Sequence, residues 1–439
     1  LYCLQVTLWR LAEAKYREAL TDFSEKKAAR VSSIDRNRKF ASFARTTPQN
    51  SCSYKSAESV DIAHWERYCK KISDWTAGLE GTSDSWVEFD ASQETRIFVS
   101  SESACVVQHR QIYSLSVTLR KLTKHGNYIE QELVFNRSSQ SELPSPAELK
   151  RLVRIKHQQL LKLIDAKRIH AFSGPVLLYP NPAGLLFHEA IGHRLEGSRL
   201  RSTGEGQTFR GQIGKPVIGV PIDIWDDPNQ KKFGGVRCIG AYDYDDEGIP
   251  AERTELVSGG ILKGFLSTRA ALNTGGFRSN GHARTRTFQR PISRMGVTGV
   301  QGREPVPMTE LRQRLVEEIK AQGKPFGMIV YEVSGGETDT TSYDFQAFSG
   351  EISYASLIYP DGSEECIRGV DFVGTPLQAL SNIIAVGDEL ELDNSYCGAE
   401  SGFIPVSTIS PAVLLSNLEL QAKDEELVTQ YILPKPMRG

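Results

Sequence analysis

His188, Glu189 and His193 stand within six residues of one another, in the order H-E-x-x-x-H. Two imidazoles and a carboxylate this close suit a divalent metal. Histidines offer neutral nitrogen to zinc, and a glutamate beside the ion can activate a water. The spacing is one residue longer than H-E-x-x-H, in which both histidines fall on one helical face. Here they are five positions apart, roughly 140° around a helix of 3.6 residues per turn. They can share one ion only if the helix widens between them, as in a π-bulge, or ends and turns near His193. Gly192 is the residue expected to make such a distortion cheap.

Two histidines are not enough, because a catalytic zinc usually takes three protein ligands and keeps one open position. The leading candidate for the third is Cys397, read in a polar, glycine-flanked turn over residues 394–398. A lone cysteine is most often a small core hydrophobe, so its weight here comes from the pairing with His188 and His193. Next to zinc its thiol would be deprotonated. Residues 281–295 gather Arg284, Arg286, Arg290 and Arg294 beside His282. Arg290 and Arg294 are the candidates to hold substrate carbonyls or a terminal carboxylate, and His282 is the weaker candidate for a further ligand.

These residues need elements to hold them. Residues 181–197 read as a helix capped by Asn181, with Pro182 in its first turn and Gly197 as its stop. A short apolar strand over 175–179 feeds it, and the polar, glycine-rich stretch 198–213 reads as a mobile loop beside the site. A hairpin is expected around Gly259 and Gly260, a helix over 308–322, a strand over 328–334 and a hairpin turning at 360–362. Residues 376–384 look helical. Upstream, residues 9–23 suggest an amphipathic helix and 47–57 a loop. Residues 86–122 and 127–135 suggest antiparallel strands, from their alternation and their Val, Ile, Tyr and Phe content. Ser145, Pro146 and Glu148 open a long helix as a capping box. The expectation is an α+β protein of two domains, residues 1–168 and a β-rich 169–439, with mixed and antiparallel sheets and packed helices.

At 439 residues the chain is too long for one ordinary core. A net charge of −2 gives no bulk attraction to nucleic acid or an anionic membrane. The basic stretch 26–45 reads as a solvated face, since no aromatic interleaving accompanies it. No apolar run approaches a membrane span. Seven cysteines without a C-x-x-C pair favour free thiols in a reducing compartment, so a cytoplasmic location is expected. The sequence starts at Leu1 rather than Met, which reads as a fragment or processed form and leaves an exported form open.

The segments HEAIGHRLEG (188–197), DDEG (245–248), GGILKGFL (259–266), PISRM (291–295), GGETDTTS (335–342) and CGAESGFIPV (397–406) resemble the TldD/PmbA family of zinc metallopeptidases, also described as modulators of DNA gyrase. The likeness runs in order over roughly residues 170–420 and is much weaker in the first 140. It implies zinc on His188, His193 and Cys397, with Glu189 as general base. It also implies a peptide substrate held as an extended strand, and a dimer, either of this chain or with a PmbA-like paralogue that lacks the metal motif. Keeping both histidines, the glutamate and the cysteine places this chain on the catalytic, TldD-like side. Two rival readings are a non-catalytic regulatory or partner subunit and a zinc hydrolase acting on a non-peptide bond. A structural zinc wants four protein ligands, and three good candidates favour catalysis.

Overall fold

The computed structural model describes residues 2–32, 43–53, 58–123, 126–201, 208–270, 278–286, 289–338 and 347–423. The architecture is α+β with mixed sheets. The first half comprises α1 (Tyr2–Ser32), β1 (Asn50–Ser53), α2 (Ile62–Thr76), β2 (Asp84–Val99), β3 (Cys105–Leu122), β4 (Tyr128–Arg137) and α3 (Pro146–Ile164). β3 is the spine of the first sheet. β2 pairs antiparallel along its whole length on one edge, and β1 and β4 share the other.

Alternate residues of β3, Tyr113, Leu115, Val117 and Leu119, are buried under the two helices. α2 is capped by Asp61, which accepts the His64 N–H, and buries Trp65, Tyr68 and Ile72 at helical spacing. Trp65 stacks on Phe89 at 4.0 Å. α3 starts as its capping box predicts, with Ser145 accepting the Glu148 N–H, and buries Leu149, Val153, Leu160 and Leu163. The expected loop over 47–57 contains β1, which exists because β3 offers it a parallel partner. Residues 54–57 lie outside the described residues, as do residues 33–42 of the basic stretch 26–45. The helix expected over 9–23 lies within α1, but Trp9, Tyr16 and Phe23 face solvent and bury no stripe.

The second half begins with β5 (Lys167–Arg168), β6 (Ala171–Leu178) and α4 (Pro180–Phe187). It continues through β7 (Ile222–Asp226), β8 (Lys232–Phe233), β9 (Val236–Arg237), β10 (Thr254–Ser258) and β11 (Ile261–Leu262). Then come β12 (Ala283–Arg284), β13 (Ile292–Ser293), β14 (Val297–Gly302), α5 (Met308–Ala321), β15 (Gly327–Thr338) and β16 (Phe348–Ile358). The series closes with β17 (Glu364–Arg368), β18 (Val370–Gly374), α6 (Pro376–Ser381), β19 (Ile383–Cys397) and β20 (Ile404–Ala422).

Twelve of these strands form one mixed sheet. Within it β20, β6, β15, β16 and β18 pair in a closed ring, each bonded to the next and β18 back to β20. Closure leaves those strands without a free edge. The apolar interior includes Val176, Leu178, Val330, Phe348, Phe372 and Leu420. Strands of this kind, covered on both faces, carry continuous rather than alternating apolar residues. That is why β20, buried from Ile404 to Leu415, gives little period-two signal. Among the described residues no helix is long and apolar enough to cross a membrane.

Candidate metal centre

β6 runs straight into α4, and the histidines lie in the turns that continue it. The helix begins two residues earlier than expected: Tyr179 is the N-cap and Pro180 occupies the first turn. Asn181 does not cap it. Its Oδ1 accepts the Val333 N–H at 3.1 Å and ties the helix to β15 instead. Ser410 on β20 donates to the Pro180 carbonyl at 2.6 Å.

The helix does widen where the spacing requires it. Residues His188–Gly192 form a π turn, in which the His193 N–H reaches the His188 carbonyl, and a 3₁₀ turn over His193–Leu195 follows. Gly192 serves a different purpose from the one expected. Its backbone is ordinary right-handed helix, φ −54° and ψ −61°. A Cβ there would lie 2.2 Å from Met295 Sδ, so the glycine is needed for close packing rather than for backbone freedom. The helical run stops at Leu195, Glu196 is extended, and Gly197 then opens a second 3₁₀ turn, Gly197–Arg201.

With the turn widened, the rings of His188 and His193 lie 4.9 Å apart and perpendicular. β19 delivers Cys397 between them. Its Sγ is 3.1 Å from His188 Nε2 and 3.3 Å from His193 Nε2. The three donor atoms lie within 4.8 Å of one another. Cys397 is the last paired residue of β19, opposite Ile404 of β20, and is 5% exposed. The sequence placed it in a polar turn, but the turn starts one residue later. Glu189 is buried beside the group, its Oε2 4.0 Å from His193 Nε2.

The charges explain one another. Burial opposes a thiolate at Cys397, but the His193 and His188 imidazoles outweigh it and hold the thiol well below its ordinary range. Burial likewise opposes charge on His193, and the Cys397 thiolate and Glu196 carboxylate outweigh it, holding the imidazole well above its usual value. His188 is raised in the same way, against burial, by Cys397 and then Glu189. Two nitrogens and a soft sulfur converging, with no fourth donor grouped with them among the described residues, fit a zinc ion.

Sequence reasoning missed Glu196. It is 0% exposed, and its Oε1 lies 3.1 Å from His193 Nδ1 while Arg199 Nε donates to its Oε2 at 3.0 Å. Burial favours its neutral form, but His193, Arg199 and Arg294 hold it ionised, at about 2. A carboxylate on the far nitrogen of a ligand histidine fixes the ring's orientation and tautomer. The available signal was its place three residues after His193. Arg199, read as part of a mobile loop, is instead 3% exposed and also donates to Glu400 at 2.7 Å. Residues 202–207 of that loop lie outside the described residues.

A cavity of about 1690 Å³ opens over the donors, with His188, Glu189, His193 and Cys397 in its wall. β4 and α3 form one side of it, and β15, β16 and β19 the other. Neither arginine expected to bind substrate lines it among the described residues. Arg294 is 0% exposed and is turned onto Cys397, so burial removes it from any peptide. Arg290 is exposed to solvent. His282 stands outside the donor group, fully buried, its Nε2 3.1 Å from Asp226 Oδ1.

The family model described as the PmbA/TldA metallopeptidase C-terminal domain matches residues 173–422. This chain belongs to the TldD/PmbA family. The family's matched region contains the π turn, the 3₁₀ turn after it and β19, and hence His188, His193 and Cys397. A metalloprotease of Archaeoglobus fulgidus is 31% identical over 258 residues, 58% of this chain and 55% of that protein. A metalloprotease TldD homologue of Buchnera aphidicola is 30% identical over 268 residues, 59% of this chain and 51% of that protein. The chain thus spans about half the length of these curated relatives. Likeness of fold extends further. A Thermotoga maritima crystal structure described as a modulator of DNA gyrase superposes with a TM-score of 0.63 over 86% of this chain and 80% of that one, at 17% identity.

Proposed function

We propose that this chain is a zinc metallopeptidase that cleaves unfolded or extended peptides in the cleft between its two sheets. The observation that carries the reading is the meeting of His188, His193 and Cys397, from segments about two hundred positions apart, at the wall of a large cavity. Three protein donors beside open space suit catalysis, where a structural ion is closed in by four.

His188, His193 and Cys397 would hold the ion. When bound, zinc supplies Lewis acidity for the scissile carbonyl and for water. Glu189 takes the proton of the attacking water and returns it to the leaving amine. The cleft walls are strands, which suit a peptide lying extended alongside them. The division into residues 1–168 and 169–439 is supported by two apolar clusters, one of buried residues 65–163 and one of buried residues 172–420, although Tyr354 and Cys366 pack against the first. We further propose that the protein works as a dimer, with itself or with a PmbA-like paralogue, as the family resemblance implies.

The test is Glu189→Gln. It should retain one zinc per chain and lose peptide cleavage by about 10²- to 10⁴-fold. A Glu189→Gln protein that cleaves like the parent sinks the role given to that residue. A zinc-loaded parent that hydrolyses small esters or amides but no peptide favours the non-peptide hydrolase.

A further inference from the structure

One buried cation beside the donors has no part in the mechanism above. Arg294 Nη2 donates to Cys397 Sγ at 3.1 Å and to the Cys397 carbonyl at 2.8 Å. Its Nη1 donates to Ser401 Oγ at 3.0 Å and to the Gly402 carbonyl at 3.1 Å. Its Nε lies 3.4 Å from Glu196 Oε1, the same oxygen that faces His193 Nδ1. The contacts close a loop: imidazole to carboxylate, carboxylate to guanidinium, guanidinium to sulfur, and sulfur back to the imidazole.

The loop is held rigidly from behind. The Arg294 N–H donates to the His282 carbonyl, and the β12–β13 pair sets Ala283 opposite Ser293. Asp226 accepts the N–H groups of Gly296 and Val297 and the Thr298 hydroxyl, while facing His282 Nε2. The segment on which Arg294 sits is therefore pinned on both sides. Burying a guanidinium is costly unless it is paired and hydrogen-bonded. Every partner found here belongs to the ligand cysteine, to the turn just after it, or to the carboxylate that orients a ligand histidine.

We propose that Arg294 is a positioning residue for the metal. It fixes Cys397 Sγ relative to His193 and, by donating to the sulfur, draws electron density from it, so that a bound ion keeps Lewis acidity that an unassisted thiolate would remove. The planar fork of arginine reaches sulfur, carbonyl, hydroxyl and carboxylate at once, which a lysine cannot do. The proposal rests on the metallopeptidase reading.

Arg294→Gln and Arg294→Lys, with the parent, are loaded with Co²⁺. The thiolate-to-cobalt charge-transfer absorption reports electron density on the sulfur. In Arg294→Gln the band should move to lower energy, and Co²⁺ affinity should fall about 10- to 100-fold. Arg294→Lys should lie between that variant and the parent. Peptide KM should stay near the parent value while kcat falls, because Arg294 does not face the cleft. An unmoved band with unchanged affinity in either folded variant overturns the proposal. If neither variant folds by circular dichroism, Ser401→Ala is read instead: it removes one Nη1 acceptor, should give a smaller shift of the same sign, and overturns the proposal if the band stays put. A parent that binds no Co²⁺ overturns the metallopeptidase reading too. A parent that binds and cleaves, with matching variants, sinks only the role of Arg294.

Discussion

The backbone amide of His193 donates to the carbonyl of His188, five residues back. That one wide turn cancels the angular mismatch of the H-E-x-x-x-H spacing and puts both rings against Cys397. The turn is seated on Met295 through Gly192. Gly192→Ala forces Met295 aside and should destabilise the protein by about 1–3 kcal/mol and weaken metal binding. Adding Met295→Ala should cost less than the sum of the two single losses, because the thioether is the atom in the way. Thermal melts and chelator competition on the single and double variants check this. Additive losses would contradict the packing explanation.

Removing any one donor should empty the site. His188→Ala, His193→Ala and Cys397→Ala are each expected to purify with far less than one zinc per chain, after equal exposure to zinc. Elemental analysis reads this directly. Full occupancy in Cys397→Ala would mean that β19 supplies no ligand.

Metal binding should be strongly pH-dependent. Without a metal, both histidines hold their protons above their ordinary range, beside a thiolate. An incoming ion must displace those protons, so protons compete with it and affinity falls as pH falls. If two protons leave, apparent affinity should change by up to about 100-fold per pH unit near neutrality. Calorimetry in buffers of different ionisation enthalpy would count the released protons, and a count of zero would refute the charge assignment.

The cleft itself is acidic. Among the described residues its wall holds nine carboxylates against five lysine and arginine side chains. Arg120, Lys156, Arg199 and Lys423 are each paired with one of those carboxylates, Glu130, Glu332, Glu400 and Glu351. Glu391, Asp393 and Cys397 share one face of β19, so carboxylates lead away from the sulfur at alternate positions. Peptides with lysine or arginine at alternate positions should be cut faster than their glutamate counterparts, with the advantage shrinking as salt rises. Glu391→Gln should narrow it. Equal rates for both peptides at low salt would contradict the prediction while leaving the peptidase reading intact.

The sequence was informative where local chemistry decides structure. Ser145 caps α3, Gly259 and Gly260 take positive φ between β10 and β11, and Gly362 does so at the turn before β17. The need for a widened helix at 188–193 followed from geometry alone. What remained hidden depends on distant partners. β1 forms against β3, and β20 is buried on both faces with Pro405 and Pro411 inside it, so neither shows a local pattern. Glu196 and Arg294 look like ordinary surface charges until β19 and the 282–296 segment close over them. Arg294 lies beside the site, as its place in residues 281–295 suggests, but its contacts go to Cys397 rather than into the cleft, a choice set by packing that adjacent sequence does not encode.

Cys397 and His193 are separated by 204 positions. A ribosome releases the histidines and Glu189 long before β19, and β20, which closes the ring of strands, comes later still. Throughout that interval the chain carries two of its three metal donors and no assembled centre. For a chain proposed to act on unfolded polypeptide, that order would keep a nascent copy from assembling the centre until its own fold is nearly complete.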